Sequence, residues 1–378
     1  MNIFGVDLRK AGQPYGSILL PCIVLLLVMV RCIAAQSSMA APAGATPAEA
    51  AVSSANPAPP PPVSARDGLF GAIKGVHDPT MIKQGDTWYV FSTAGGNLPI
   101  RCSKDLMEWK KCGRVFADVP AWIHAKIPDL RDLWAPDVSF EDGEYRVYYC
   151  YSVWGQNASG IALVTNKTLD STSPDYMWVD HGMVLESNGQ DNFNAIDPNF
   201  FRDPQGRDWL DFGSFWTGIK MRRLGADGKL FSADTRLYAL ASREQPDTED
   251  VTAGRPFVPH AIEAPFLVHH GAYFYLFTSW DRCCSGAGST YRVMVGRSKL
   301  VTGPYVDEHG QQLMDGGGTE LLGGNAEWAA RGGESVWRDA AGRDVLVYHA
   351  YARDNSGHYL QISPIIWQDD WPVVVAAK

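Results

Sequence analysis

Residues 85–93 read Gly-Asp-Thr-Trp-Tyr-Val-Phe-Ser-Thr, a turn glycine followed by β-branched and aromatic residues. That composition marks a buried strand. The pattern returns as Gly143-EYRVYYCYS, Gly206-RDWLDFGSF, Gly271-AYFYLFTSW and Gly342-RDVLVYHAY, at steps of 58, 63, 65 and 71 residues. A second short strand stands ahead of each glycine: HDPTMIK, APDVSF, IDPNFFR, EAPFLV and GESVWR. The unit is a β-meander of about 60 residues, with no amphipathic helix between copies. Such a unit cannot bury its faces alone and must pack around an axis. Five copies predict an all-β chain, a five-bladed β-propeller over residues 68–378, with a closing strand from Trp371-Pro-Val-Val-Val.

Composition agrees. The 378 residues include 13 Trp, 15 Tyr, 15 Phe and 37 Gly, against about 26 Gly at ordinary usage. The net charge of −9 excludes nucleic acid, whose phosphates need a basic footprint. Acidic polymers are disfavoured for the same reason, which leaves neutral small molecules and neutral polysaccharide. Arg9 and Lys10 precede an apolar run from Ser17 to Val30, the length of a signal-peptide core and short for a membrane span. Residues 1–35 are therefore expected to be a signal peptide, with an uncleaved signal anchor as the alternative, and 36–67, rich in Ala and Pro, a linker. The expectation is a secreted or periplasmic monomer without stable membrane association. The leader carries Asp7, Arg9, Lys10 and Arg31, a net of +2, so the remainder stands at −11. Its five cysteines leave at least one free thiol. Cys102 and Cys112 are placed to bridge neighbouring strands, while Cys283-Cys284 reads either as a vicinal disulfide or as two thiols. No zinc-ligand spacing is present.

Each predicted inner strand begins with a carboxylate: Asp78, Asp137, Asp197, Glu263 and Glu334. At one equivalent place in five blades, they would converge on a shared channel and repel one another unless some held protons. Two carboxylates held in opposite protonation states are what glycoside hydrolysis requires. Glu263, in Ile-Glu-Ala-Pro-Phe, has the most apolar surroundings and suits the general acid. Asp78, beside His77, suits the base. Asp137 and Glu334 also suit purely structural roles. Sugar faces stack on aromatic rings, so Trp134, Phe193 and Phe215-Trp216, close to these acids or at a strand end, are candidate platforms.

These pieces resemble glycoside hydrolase family 43, in particular its endo-1,5-α-L-arabinanases. The resemblance runs from about Val76 to Pro372. It rests on VHDPT (76–80), SKDLMEW (103–109), LWAPDV (133–138), NAIDPN (194–199), FGSFWTGIK (212–220), IEAPF (262–266), STYRVMVGRS (289–298) and YHAYA (348–352). It implies a five-bladed propeller and inverting hydrolysis of arabinan or arabino-oligosaccharides. Asp78 would be the general base, Glu263 the general acid, and Asp197 the residue that tunes and orients the acid. The resemblance also implies that Trp134, Asn194, Ser214 and Trp216 line the cleft. It further implies that His349 helps hold a calcium ion with waters in the central channel. An inverting pair stands about 6.5–9.5 Å apart. The rival expectations are an exo-acting α-L-arabinofuranosidase or β-xylosidase of the same family, and a non-catalytic carbohydrate-binding propeller. One departure bears on cleft shape: many relatives carry Gly-Pro-Gly-His before the last blade, and this chain has Ala330-Arg-Gly-Gly-Glu-Ser335.

Overall fold

The computed structural model describes residues 68–93, 95–246, 254 and 257–375; the expected leader and linker, 1–67, lie outside the described residues. The described chain is five sheets in sequence. β1 (Phe70–Gly71) runs parallel to the outer strand of blade I, which consists of β2 (His77–Gln84), β3 (Thr87–Thr93), β4 (Pro99–Ser103) and β5 (Glu108–Arg114). A single helical turn, α1 (Ala121–His124), leads to blade II: β6 (Trp134–Glu141), β7 (Glu144–Ser152), β8 (Ser159–Asn166) and β9 (Val179–Ser187). Blade III is β10 (Asn199–Arg202), β11 (Asp208–Phe212), β12 (Ile219–Arg223) and β13 (Tyr238–Ala241). Blade IV is β14 (Ile262–His270), β15 (Tyr273–Trp280), β16 (Arg292–Ser298) and β17 (Thr319–Leu322). Blade V is β18 (Trp328–Arg338), β19 (Asp344–Ala352), β20 (His358–Gln368) and β21 (Trp371–Val374).

The five glycine-led runs are the second strands, and their glycines turn each inner hairpin at positive φ, from 58° to 87°, where a Cβ is disfavoured. Apolar side chains on those strands fill the layers between neighbouring blades. Phe91, Val147 and Tyr149 meet between blades I and II, and Leu210 and Phe212 meet Cys150 and Leu163 between II and III. Ile219 and Met221 meet Leu276 and Trp280 between III and IV. The largest layer joins blades IV, V and I through Phe277, Val347 and Val90. Each fully buried Phe or Leu contributes about 1.5–3 kcal/mol.

The strand expected at Trp371 is present, and the blade it completes, which the sequence leaves open, is blade V. Trp371–Val374 is the outer strand of its own blade, paired with Ile365–Gln368. Every blade is four consecutive strands, so no sheet is left for a distant strand to complete. The stretch before β2 does the stitching instead. Phe70 and Gly71 pair with Glu108 and Trp109. Leu360 N–H donates to Ile73 O and Gly75 N–H to His358 O, both at 2.9 Å.

The acids differ from the expectation of one equivalent place. What the inner strands share is an irregularity near their start. The register shifts at His77/Thr80, Trp134/Asp137, Glu263/Phe266 and Gly332/Ser335. The backbone turns left-handed at Asp78 (φ 44°), Ala135 (41°), Asp197 (55°), Ala264 (51°) and Gly333 (59°). Aligned on that residue, the segments read HDPT, WAPD, IDPN, EAPF and GGES. The carboxylates fall at the second, fourth, second, first and third positions. A bulge re-aims successive side chains, so the five acids face different surroundings. Left-handed non-glycine residues cost on the order of 1–3 kcal/mol each and cluster at functional sites.

Candidate active site

The bulges ring the propeller axis and enclose a cavity of about 30 Å³, room for about two waters. Asp78, Asp137, Asp197 and Glu334 line it together with Pro79, Pro136, Pro198 and Pro265. Glu263 is not part of that lining; its own bulge position turns it toward blades III and IV. Asp137 is a holding residue: Oδ2 accepts Phe200 N–H at 2.6 Å and Asn199 Nδ2 at 3.1 Å, tying blade II to blade III.

Asp78 Oδ2 accepts hydrogen bonds from His77 Nδ1 and Thr93 Oγ1, each at 2.8 Å. Burial alone would raise its pKa, but the charge and hydrogen bond of His77, helped by His349 and Thr93, hold it well below the usual carboxylate range. His77 moves the opposite way. Burial lowers it, and Asp78 and then Glu263 raise it beyond its ordinary value of 6.5. Asp78 is therefore an ionised carboxylate at any pH near neutrality.

Glu263 is set otherwise. Ser214 Oγ donates to Oε2 at 2.8 Å and Tyr291 Oη to Oε1 at 2.7 Å. Burial raises its pKa; the two hydroxyls lower it less than burial raises it, and the Asp78 charge adds to the rise. Asp197 accepts Ala264 N–H at 3.2 Å, so it is tied to the residue that follows Glu263. Burial, then the charges of Glu263 and Asp78, lift its carboxyl well above the ordinary range. Glu263 and Asp197 thus form a pair whose hold on a proton is raised, beside an Asp78 whose hold is weakened. Opposed protonation at one pH is the requirement for acid–base hydrolysis.

A pattern characteristic of Glycosyl hydrolases family 43 matches residues 73–372. The chain belongs to that family. It is 42% identical over 304 residues to the extracellular exo-α-(1→5)-L-arabinofuranosidase of Cellvibrio japonicus, covering 79% of this chain and 86% of that protein. It is 37% identical over 302 residues to the extracellular endo-α-(1→5)-L-arabinanase 1 of Bacillus subtilis, covering 79% and 87%. The solved Cellvibrio cellulosa α-L-arabinanase in complex with arabinohexaose superposes with a TM-score of 0.73 at 40% identity, over 80% of this chain and 96% of that one. This family 43 member is a glycoside hydrolase with a five-bladed propeller.

The remaining sequence candidates fall into two groups. Ser214 is buried and serves Glu263 directly. Asn194 is also buried, and its Oδ1 accepts Ser159 Oγ at 2.6 Å, so it braces the loop rather than presenting a surface. Phe193 packs edge-on against Phe212, centroids 5.7 Å apart. Half-buried Phe215 and Trp216 both turn left-handed, and Phe215 N–H donates to Ile262 O at 2.9 Å, which fixes this pair beside the start of β14. Trp134 meets Trp154 in a T-shaped contact, centroids 6.4 Å apart. Trp154 itself, 71% exposed, was missed, because nothing in the loop after β7 distinguishes it in sequence. Tyr291 and Tyr351 lay inside quoted motifs, but their hydroxyl partners are distant in sequence. The departing stretch Ala330–Ser335 is buried within β18 rather than preceding the blade. Gly333 is required there, since a Cβ would stand 2.5 Å from Asp78 Oδ1 and 2.7 Å from His349 Nδ1.

His349 is fully buried and stacks on His77 at 3.8 Å. Burial and the neighbouring His77 keep it neutral, well below its ordinary pKa. Its Nδ1 takes the Asp78 N–H at 3.2 Å and lies 3.8 Å from Asp78 Oδ1, while its buried Nε2 has no protein partner. Accepting that N–H places the ring proton on Nε2, which then donates to a water; Nε2 serves as a cation ligand only when the proton moves to Nδ1, facing Asp78 Oδ1. In that second tautomer the buried Nε2, without a partner among the described residues, fits the single protein ligand of a hydrated cation.

Among the described residues the bonded cysteine pairs are Cys102–Cys112 and Cys283–Cys284, and Cys150 is a buried free thiol. The odd count is thereby resolved, and the vicinal pair is a disulfide.

Proposed function

We propose that this enzyme hydrolyses internal α-1,5-linked L-arabinofuranosyl bonds of arabinan with inversion. The observation that carries the reading is the contrast between Asp78, ionised by His77 and Thr93, and Glu263, whose hold on its proton is strengthened by burial. Asp78 takes a proton from water through Oδ1, since Oδ2 is occupied by His77 and Thr93. Glu263 delivers its proton to the leaving glycosidic oxygen. Ser214 and Tyr291 orient it, and Asp197 keeps its proton affinity high. Internal cleavage is supported by aromatic surface on two adjacent blades, Trp134 with Trp154 and Trp216, which offers contact beyond one sugar. The endo-arabinanase of Bacillus subtilis supports the same reading.

An exo mode is favoured by a specific observation, the 42% identity to the exo-acting Cellvibrio protein. A time course on debranched linear arabinan, with products resolved by size, separates them: mixed oligosaccharides first for internal cleavage, a single short product from the start for exo action. Polymer binding without reducing-end release would instead mark a carbohydrate-binding propeller. Proton NMR of the first product anomer reads inversion directly.

Calcium belongs to the same proposal. His349 would hold it through Nε2, with waters completing the shell, and the ion would supply positive charge beneath the carboxylates. Metal analysis of the purified enzyme, with melting curves before and after chelation, tests it. Export as a secreted or periplasmic monomer fits the extracellular relatives and is read by N-terminal sequencing of culture fractions and by light scattering.

A further inference from the structure

The Cys283–Cys284 disulfide plays no part in the chemistry above, yet it adjoins the base. It lies in the turn after β15, with Cys284 exposed and left-handed at φ 65°. Cys284 N–H donates to Tyr351 Oη at 3.0 Å, and Cys284 Sγ lies 3.8 Å from the same oxygen and 3.7 Å from His77 Nε2. Tyr351 Oη is 2.5 Å from His77 Nε2, and His77 Nδ1 is 2.8 Å from Asp78 Oδ2. These contacts form one chain from the disulfide turn to the carboxylate. Tyr351 Oη accepts Cys284 N–H and grips Nε2 whichever of the two carries the hydrogen between them, and Nδ1–H faces Asp78 in the neutral and the protonated ring alike. A histidine gripped at both nitrogens has its ring plane fixed.

We propose that Tyr351 and the Cys283–Cys284 disulfide are positioning residues for Asp78. The ring closed between consecutive cysteines holds Cys284 left-handed, which aims its N–H at Tyr351, which in turn orients His77 on the carboxylate. This rests on Asp78 being the base. Reduction opens the chain at its first link. A dithiol gives two electrons and two protons, the S–S bond breaks, two cysteine thiols form and the dithiol becomes a disulfide. Cys284 is then released from a conformation L-residues disfavour, and the exposed sulfur admits the reductant.

The test is steady-state kinetics on linear arabinan and on an aryl arabinoside, with and without dithiothreitol. Reduced wild-type enzyme should lose about tenfold or more in kcat, the scale of a small misplacement at a catalytic group, with KM within twofold, and should recover on reoxidation. Tyr351→Phe should show the same split. The Cys283→Ser/Cys284→Ser variant should match reduced wild type and ignore dithiothreitol. A Cys102→Ser/Cys112→Ser variant should keep the full response, which assigns it to the vicinal pair. Full kcat in enzyme whose Cys283 and Cys284 are alkylated after reduction overturns the proposal, as does full kcat in Tyr351→Phe or a loss confined to KM. If Tyr351→Phe fails to fold, the reduction arm on wild type decides alone. Wild type active, Asp78→Asn dead and reduction without effect would sink only this inference; wild type inactive on both substrates would sink the functional reading with it.

Discussion

Tyr291 donates its hydroxyl hydrogen to Glu263 Oε1 across 2.7 Å from a ring that is 1% exposed. The bond favours the carboxylate and so opposes the burial that strengthens the hold of Glu263 on its proton. The working form has Glu263 protonated, so kcat/KM falls as pH rises through its pKa. Tyr291→Phe removes a stabiliser of the charged form and should move that basic limb upward by about one unit, the equivalent of one charge-assisted hydrogen bond. A limb that stays put or moves down would show that the phenol does not act on the acid. The acidic limb, set by Asp78, should remain far below neutrality in both enzymes.

Glu263 and Asp78 should part company when the leaving group changes. Glu263→Gln should lose on the order of 10²–10⁴-fold in kcat on arabinan, and much less on an aryl arabinoside whose leaving group needs no proton. Asp78→Asn should be inactive on both, because both need an activated water. Equal losses for Glu263→Gln on the two substrates would take the acid role away from it.

How much of this site was legible in the sequence follows from what sets each contact. The five strand pairs were legible because buried strands leave a composition and their turns leave a glycine. Asp78, Asp197 and Glu263 stood out because each is a carboxylate at a strand start, Asp78 beside a histidine and Glu263 among apolar residues. Their geometry was not legible. A bulge moves the carboxylate by one position along the strand, from Glu263 to Asp78 to Glu334, and nothing in HDPT, EAPF or GGES announces which residue turns left-handed. His77–Tyr351 and Ser214–Glu263 join residues 274 and 49 apart; the second exists only once two neighbouring blades have packed, and the first only once the ring has closed. Closure by the segment at Phe70–Gly75 was hidden for a different reason: two short backbone pairings carry no side-chain pattern.

Trp154 offers a test of the cleft that leaves the acid–base pair untouched. It is 71% exposed and touches Trp134 edge-on, so little packing is lost when it is truncated. Trp154→Ala should raise KM on linear arabinan several-fold, in keeping with about 0.5–1.5 kcal/mol for an aromatic contact, and leave kcat/KM on a short aryl arabinoside within twofold. Unchanged KM on the polymer would place the substrate elsewhere on the rim. A Trp134→Ala comparison reads the second member of the pair, with a larger cost because that ring also packs on the apolar layer shared by blades II and III.

Glu334 links the channel to stability. Its Oε2 accepts Ser279 Oγ–H, and Oε1 is buried without a partner among the described residues. Burial pushes its pKa from 4.5 up to about 8. The folded state therefore binds this proton more tightly than the unfolded chain does. The resulting stabilisation is fully present below about pH 4.5 and is lost as pH rises to about 8. Glu334→Gln keeps an acceptor for Ser279 and cannot ionise. Its melting temperature should therefore gain on wild type steadily between about pH 4.5 and 8, and the gap should level off above that. Taking the difference of the two curves removes the parallel contributions of Asp137 and Asp211, which both proteins share; the Glu263–Asp197 pair feels the Glu334 charge and its relief adds to the gap in the same direction. Parallel melting curves across this range would mean that Glu334 ionises as readily folded as unfolded, and that a group or ion compensates its charge in the channel.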